Sequence, residues 1–395
     1  MRILEGGRLP ILSWAPELDA TAHQQAVNLA NLAVAIDHVA LMPDAHAGFG
    51  MPIGGVLFAD RAVVPFAIGV DIGCGVALAA TDLRVRDLPP ERLDRVLAAI
   101  ERRVPTGHRG HERTVDREAA LAEIGLERPE SIRAAWLDQG LQQLGTLGGG
   151  NHFLELQRDP EGHVYVMLHS GSRHLGKTIC DEMHRRAVAH DAAHGLALPH
   201  RELAYFPEGS TGFDDYWSAM TFALRYAEVN RARMLDAVEA VLAGLTRLGR
   251  FERRVEIHHN YAVRERHAGL DGIVRDGIVH RKGAVRARPG EPVLIPGSMG
   301  SASYVGEGLG NPAAFATCEH GAGRAMSRTA ARRARSSPEV YDEMDRLGIR
   351  LRAADRRAVA EEAAFAYKEI EVVMAASADL VRPTLRLLPL GVVKG

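Results

Sequence analysis

The chain is 395 residues long, 46% hydrophobic and 25% charged, with a formal net charge of -2. Such a composition describes an ordinary soluble globular protein, and the near balance of charge excludes a global basic field, so any nucleic-acid surface has to be local. Three cysteines, Cys74, Cys180 and Cys318, are too few and too widely spaced for a disulfide framework or a C-x-x-C zinc ribbon. No stretch reads as a signal peptide or as an apolar span of roughly 18 residues, so a cytoplasmic protein with no membrane partner is expected. Only four of the 48 basic residues are lysines, Lys177, Lys282, Lys368 and Lys394. They are candidates for places where a compact ammonium is needed and a guanidinium is not equivalent.

In chain order, 18–35 reads as a helix with Asp19 or Thr21 as N-cap, and 38–42 as a short strand. The stretch 41–75, LMPDAHAGFGMPIGGVLFADRAVVPFAIGVDIGCG, then sets Asp44, His46, Asp71 and Cys74 among seven glycines. Asp71 and Cys74 stand three apart, with Gly73 and Gly75 beside the thiol. A tight turn there aims a carboxylate and a thiolate at one point, a metal-ligand pattern; on its own the same turn is also compatible with a buried packing cysteine. A strand over 76–81 and an amphipathic helix over 89–102 follow. The basic segment 102–113, with Arg102, Arg103, His108, Arg109, His111 and Arg113, reads as a loop that is either solvated or phosphate-contacting.

Residues 144–156, LGTLGGGNHFLEL, open from a glycine run into Asn151, His152 and Glu155. A strand over 164–169 ends at His169 and gives way to the turn 170–173; such strand ends are where sites are built. A helix over 178–193 carries Cys180 as a packing residue, and His184, His190, His194 and His200 read as solvated polar positions. A long helix over 217–248 is ended by Gly249, and a strand over 254–257 runs into His258, His259 and Asn260. Hairpin-like strands are expected at 279–284 and 292–295, with a Gly/Ser-rich donor loop over 297–303. The run CEHGAGR puts His320 at the expected N-terminus of a helix carrying Arg324 and Arg328, a phosphate-binding arrangement. A last helix is expected over 361–376, containing Tyr367 and Lys368. There is no repeat, low-complexity segment or linker, so 1–395 reads as one compact α+β domain, with central β-sheets surrounded by helices.

One Asp, one Cys and three strand-end histidines exceed the four ligands of a closed tetrahedral site, which favours two ions sharing a ligand or one ion with open positions. A thiolate can bridge two ions, and ligand softness alone points to zinc. Nucleotidyl transfer and hydrolysis by water on a dinuclear site are both open on this inventory.

PDAHAGFGMPIGG, DIGCG, LGGGNHFLE, HSGSR, HHNYA, RKGA with PGSMG, CEHGAGR and the terminal Lys394 and Gly395 together resemble the RtcB family of RNA ligases, in order and spacing. Ala77 and His174 depart from the family pattern, in which Arg and Gly are frequent. The resemblance implies a GTP- and manganese-dependent ligase joining an RNA 3′-phosphate or 2′,3′-cyclic phosphate to a 5′-hydroxyl, in tRNA splicing or RNA repair, and is compatible with an activating protein partner. It implies that Cys74 bridges two Mn²⁺, with Asp71 and His152 completing one site and His169 and His259 the other. It implies that His320 takes GMP from GTP and passes it to the RNA as an activated RNA-pp-G end. Asn151, Glu155, Asn260, Pro296, Gly297, Ser298, Met299, Ser303, Gly321, Ala322 and Gly323 would hold the nucleotide, and Lys394 would read guanine. The competing reading is a dinuclear metal-dependent phosphoesterase or nucleotide hydrolase without ligation, and a weaker one a non-catalytic RNA-binding protein.

Overall fold

Among the described residues, apolar, β-branched runs interrupted by glycines become strands of two large β-sheets and two two-stranded ribbons with helices around them, the α+β arrangement expected from the chain order. The computed structural model describes residues 1–107, 110–111, 115–247, 249–356 and 359–395. A six-stranded sheet has the spatial order Arg2–Leu4, Ile11–Ser13, Ala35–His46, Ile53–Ala59, Val274–Lys282, Asn260–Ala268. In the eight-stranded sheet the order is Arg253–His258, Gly75–Arg84, His163–Ser170, Phe153–Arg158, Val381–Lys394, Ser303–Gly308, Pro292–Ile295, and Arg350–Ala353 adds to Val381–Lys394 in parallel.

Register in the larger sheet is what positions the site. Gly75 faces His258 on one side and Ser170 on the other, Phe153 faces His169, and Lys394 faces Phe153. The residues flanking these positions, Cys74, His152 and His259, therefore gather with His169 at one end of adjacent strands. A one-residue slip of any strand would turn its ligand to the opposite face.

The helix Thr211–Leu245 packs across this sheet. Its 35 residues span about 52 Å at 1.5 Å per residue, and Ser210 caps it by accepting from the Phe213 N–H at 3.2 Å. Its inner face is mostly apolar, with Tyr226, Met234 and Val238 buried, yet it also buries Asn230 and Arg231 completely.

Several expected elements hold with shifted ends. Asp19 caps the helix Ala20–Ala30, the helix Pro90–Arg103 lies where 89–102 was expected, and Arg173–Ala193 and Thr211–Leu245 each start earlier than the sequence indicated. Leu248, the expected last helical residue, lies outside the described residues, as do His108, Arg109 and Arg113 of the basic loop.

Three expectations fail. The strands Val274–Lys282 and Pro292–Ile295 do not pair as a hairpin: the first lies between Ile53–Ala59 and Asn260–Ala268, the second on Ser303–Gly308. His320 does not begin a helix. The chain after it is a turn in which Arg324 bridges to Tyr367, and the helix Arg328–Ala334 starts only at Arg328, with Ser327 as its cap. Residues 361–376 are not one helix but short 3-10 turns, an extended Tyr367 and the helix Ile370–Ala376. In both latter places side-chain bonds from Arg324 and Tyr367 to Glu362 override local helix propensity.

Candidate metal and nucleotide site

Asp71, Cys74 and His152 form one group of metal-type donors, and Cys74, His169 and His259 a second; within each group the ligand atoms lie within 4.8 Å of one another. Cys74 belongs to both. Its Sγ is 3.5 Å from His152 Nε2 and 3.2 Å from His169 Nε2, while His169 and His259 approach Nε2 to Nε2 at 3.3 Å and His152 Nε2 meets Asp71 Oδ2 at 2.9 Å. Asp71 Oδ1 and His259 Nδ1 are buried with no hydrogen-bond partner. Burial, then the neighbouring imidazoles, hold His169 and His259 well below the ordinary histidine range, so both are neutral and able to ligate. Burial and the adjacent Asp71 push the Cys74 thiol well above its usual value. A thiolate therefore needs positive charge beside it, and the donor set fits two cations sharing Cys74.

The ligands are braced from behind. His152 Nδ1 donates to Leu147 O at 2.8 Å, which aims Nε2 at the cluster. Arg231, fully buried, donates to Gly73 O and Ser170 O at 2.8 Å each, to Glu256 at 2.6 Å and to His258 Nδ1 at 3.1 Å. One guanidinium thus fixes the residues next to Cys74, His169 and His259. Asn230 accepts from Gly145 N and Thr146 N and donates to Gly171 O, tying the loop before His152 to the turn after His169. Two glycines leave the required room: a Cβ on Gly171 would sit 2.2 Å from Asp71 Oδ1, and one on Gly148 2.5 Å from His152 Nδ1.

Beside the cluster lies a cavity of about 800 Å³. It is lined by all the sequence-derived site residues except His152 and Ser303, which stand just behind the wall. The His320 ring lies 4.8 Å from that of His259, centroid to centroid. His320 Nδ1 is bonded to Asp44 Oδ2 at 2.5 Å, and the same oxygen accepts the His320 backbone N–H at 3.2 Å. With Nδ1–H donating to the carboxylate, the lone pair is on Nε2. Gly323, at φ +70°, lets the turn pass so close to Asp44 that a Cβ would meet Asp44 O at 2.3 Å.

At another part of the lining, Gln157 donates to Glu155 at 2.7 Å and to Ser303 Oγ at 3.0 Å, and Ser303 in turn accepts from Gly297 N at 3.3 Å. Burial raises Glu155 to about 7. Lys394 is buried 3.7 Å from Glu362, and burial lowers its ammonium. Asn260 is engaged with backbone, donating to Asp71 O and accepting from Gly283 N. Arg324 is likewise committed, to Glu362, Glu361 O and Met326 O.

Asp44, Arg231, Asn230 and Glu362 are the residues sequence reasoning left without a role. Asp44 carried a signal, standing beside His46 in the glycine-rich stretch; Asn230 and Arg231 are ordinary polar letters in a helix and carried none. Among the described residues His184, His190, His194 and His200 form no part of the cluster, although His184, against Phe66, and His190, against Phe206, are partly buried rather than solvated. Cys180 packs in the apolar core as expected.

A family model described as tRNA-splicing ligase RtcB matches residues 25–395. The chain is 38% identical over 412 residues to the RNA-splicing ligase RtcB of Escherichia coli, covering 98% of this chain and 97% of that one. It is 38% identical over 435 residues to the RNA-splicing ligase RtcB of Mycobacterium tuberculosis, covering 94% and 100%. It is 34% identical over 441 residues to the tRNA-splicing ligase RtcB of Pyrobaculum aerophilum, covering 94% and 90%.

Proposed function

The chain belongs to the RtcB family of RNA ligases, and from that premise we propose that it joins RNA 3′-phosphate or 2′,3′-cyclic phosphate ends to 5′-hydroxyl ends, using GTP and two Mn²⁺ held on the shared Cys74. In this reading 1–395 acts as one cytoplasmic ligase domain, in tRNA splicing or RNA repair. No helix among the described residues is long and apolar enough to cross a membrane.

The observation that carries the reading is His320: a cavity-lining imidazole oriented by Asp44 and set beside the His259 edge of the metal-type cluster. Its Nε2 attacks the α-phosphorus of GTP, the bond to pyrophosphate breaks, and a phosphoramidate to GMP forms. Asp44 stabilises the positive charge that develops on the ring. Bound at Asp71, Cys74, His152, His169 and His259, the cations would neutralise charge gathering on the phosphate oxygens. An RNA 3′-phosphate oxygen then displaces His320 from the GMP phosphorus, giving RNA-pp-G, and a 5′-hydroxyl displaces GMP to close the strand.

Glu155 and Lys394 support a guanine nucleotide in particular. A carboxylate accepts from N1–H and the 2-amino group, and an ammonium donates to O6, so the pair complements the edge that adenine lacks. The loop 296–299 and the turn 320–323 line the same cavity and would hold the nucleotide there.

The test is incubation with α-labelled GTP, Mn²⁺ and an RNA bearing 3′-phosphate and 5′-hydroxyl ends. Acid-labile protein label and joined RNA, both absent in His320→Ala, are expected. Phosphate release with no label and no joined product would favour the hydrolase instead.

A further inference from the structure

One end of the cavity is used neither by the metal ligands nor by the groups suited to guanine. Lys394 and Glu155 are reached from His320 through His259, His169 and Phe153. In another direction the lining runs through Gly283, where a Cβ would come within 3.1 Å of the His320 ring, to its neighbour Lys282. The buried Lys282 ammonium donates to three backbone carbonyls: Phe49 at 2.5 Å, Met51 at 3.1 Å and Phe66 at 3.1 Å. Its three donors are thereby spent, so it offers no charge-assisted contact to a phosphate. What it does instead is clamp the backbone of two aromatic residues, Phe49 and Phe66, that both line this end of the cavity.

The clamp is built to tight tolerances. A Cβ on Gly48 would stand 2.6 Å from Met51 O and 3.2 Å from Lys282 Nζ, and Gly50, at φ +71°, would bring one within 3.1 Å of Phe66 Cβ. The Gly50 N–H donates to Glu202 at 2.5 Å. Phe66 is stacked on His184, with ring centroids 3.8 Å apart and planes 13° from parallel. Yet the Phe49 side of this rigid loop is open, the residue being 65% exposed. A phenyl ring held out in water on a fixed backbone keeps its apolar face uncovered until something flat lies on it.

We propose that Phe49 and Phe66 form a stacking subsite for a nucleobase at an RNA end, with Lys282 as the positioning residue that fixes the backbone of both in the cavity that His320 also lines. This rests on the ligase reading, which requires a second substrate to reach His320 from a side the guanine nucleotide does not occupy. A base is the part of that substrate that fits: every base has a π-face, and stacking tolerates any sequence, as end joining demands.

The experiment uses full-length wild type, Phe49→Ala and Phe49→Trp with RNA oligonucleotides carrying 3′-phosphate and 5′-hydroxyl ends, intact or abasic at one terminal nucleotide. Stacking measured by alanine substitution is worth roughly five- to 150-fold per base. Phe49→Ala should therefore raise the KM for RNA about tenfold with kcat little changed, and Phe49→Trp should restore it. An abasic residue at the stacked end should raise the wild-type KM by a similar factor and that of Phe49→Ala, which keeps Phe66, by clearly less; the end at which this happens identifies the strand. An unchanged KM in a GMP-labelled Phe49→Ala, or an abasic penalty of equal size in both proteins, overturns the subsite. Failure of the ligase reading is seen separately, as wild type that takes no GMP label.

Discussion

On the side of the cavity that carries the metal-type donors, Cys74, His169 and His259 sit at ends of adjoining strands, and Arg231 bonds to a residue beside each of them. On the side proposed for the nucleotide, the loop 296–299, the turn 320–323 and Lys394 come from three separate parts of the chain. There the organising group is a carboxylate, Glu362, which meets Arg324, Arg328, Tyr367 and Lys394. Damage to Cys74 or Arg231 on the first side should spread to both donor groups, whereas damage on the second should stay with the contact removed.

Cys74→Ala gives the largest expected effect, because it removes a donor from both ligand groups at once. Metal content measured by mass spectrometry and ligation should both fall by more than the roughly 10- to 100-fold that loss of an outer partner costs. Retention of one ion per chain would show that the thiolate is not shared. Arg231→Met comes next: metal affinity by equilibrium dialysis should drop about 10- to 100-fold, and stability by about 3 kcal/mol because Glu256 and the two carbonyls lose their partner. If only one of the two ions weakens, the single-brace description is wrong.

Gly171→Ala probes one group alone. Its Cβ would displace Asp71, so binding in the group containing His152 should weaken about tenfold while that of His169 and His259 holds. On the nucleotide side, burial lifts Glu155 from 4.5 to about 7, so the folded chain binds this proton more tightly than the unfolded one. Its contribution to stability is full below the unfolded value and is lost as pH rises through about 7. The ionised form is the one that accepts guanine N–H groups, so GMP affinity should rise about tenfold from about pH 6 to about pH 8. Glu155→Gln should flatten that profile in calorimetry; a profile that keeps its slope assigns it to another group. The smallest effect belongs to Lys177→Ala, whose partner Asp181 is one turn away on an exposed helix face; stability should change by no more than about 0.5 kcal/mol.

The lysine count was a good guide for a physical reason. Lys282 and Lys368 each direct a compact three-donor ammonium at backbone carbonyls, and Lys394 is buried against a carboxylate. Only Lys177 is a surface residue. The convergence of Asp71, Cys74, His152, His169 and His259 was legible because glycine-flanked Cys, Asp and His letters at strand ends are costly unless they converge. Asn230 and Arg231 were not, since a helix pattern reports which face is buried and not which carbonyls lie opposite it. The missed turn after His320 has the same origin: CEHGAGR carries a helix-start signature, and bonds to Glu362, far away in sequence, decide otherwise.

The most direct measurement is peptide mapping by mass spectrometry after incubation of the wild-type chain with GTP and Mn²⁺, quenched at alkaline pH. A GMP mass on the peptide containing His320, lost on acid treatment and absent in His320→Ala, is the expected result. GMP found on a lysine, or no adduct while phosphate accumulates, would contradict it.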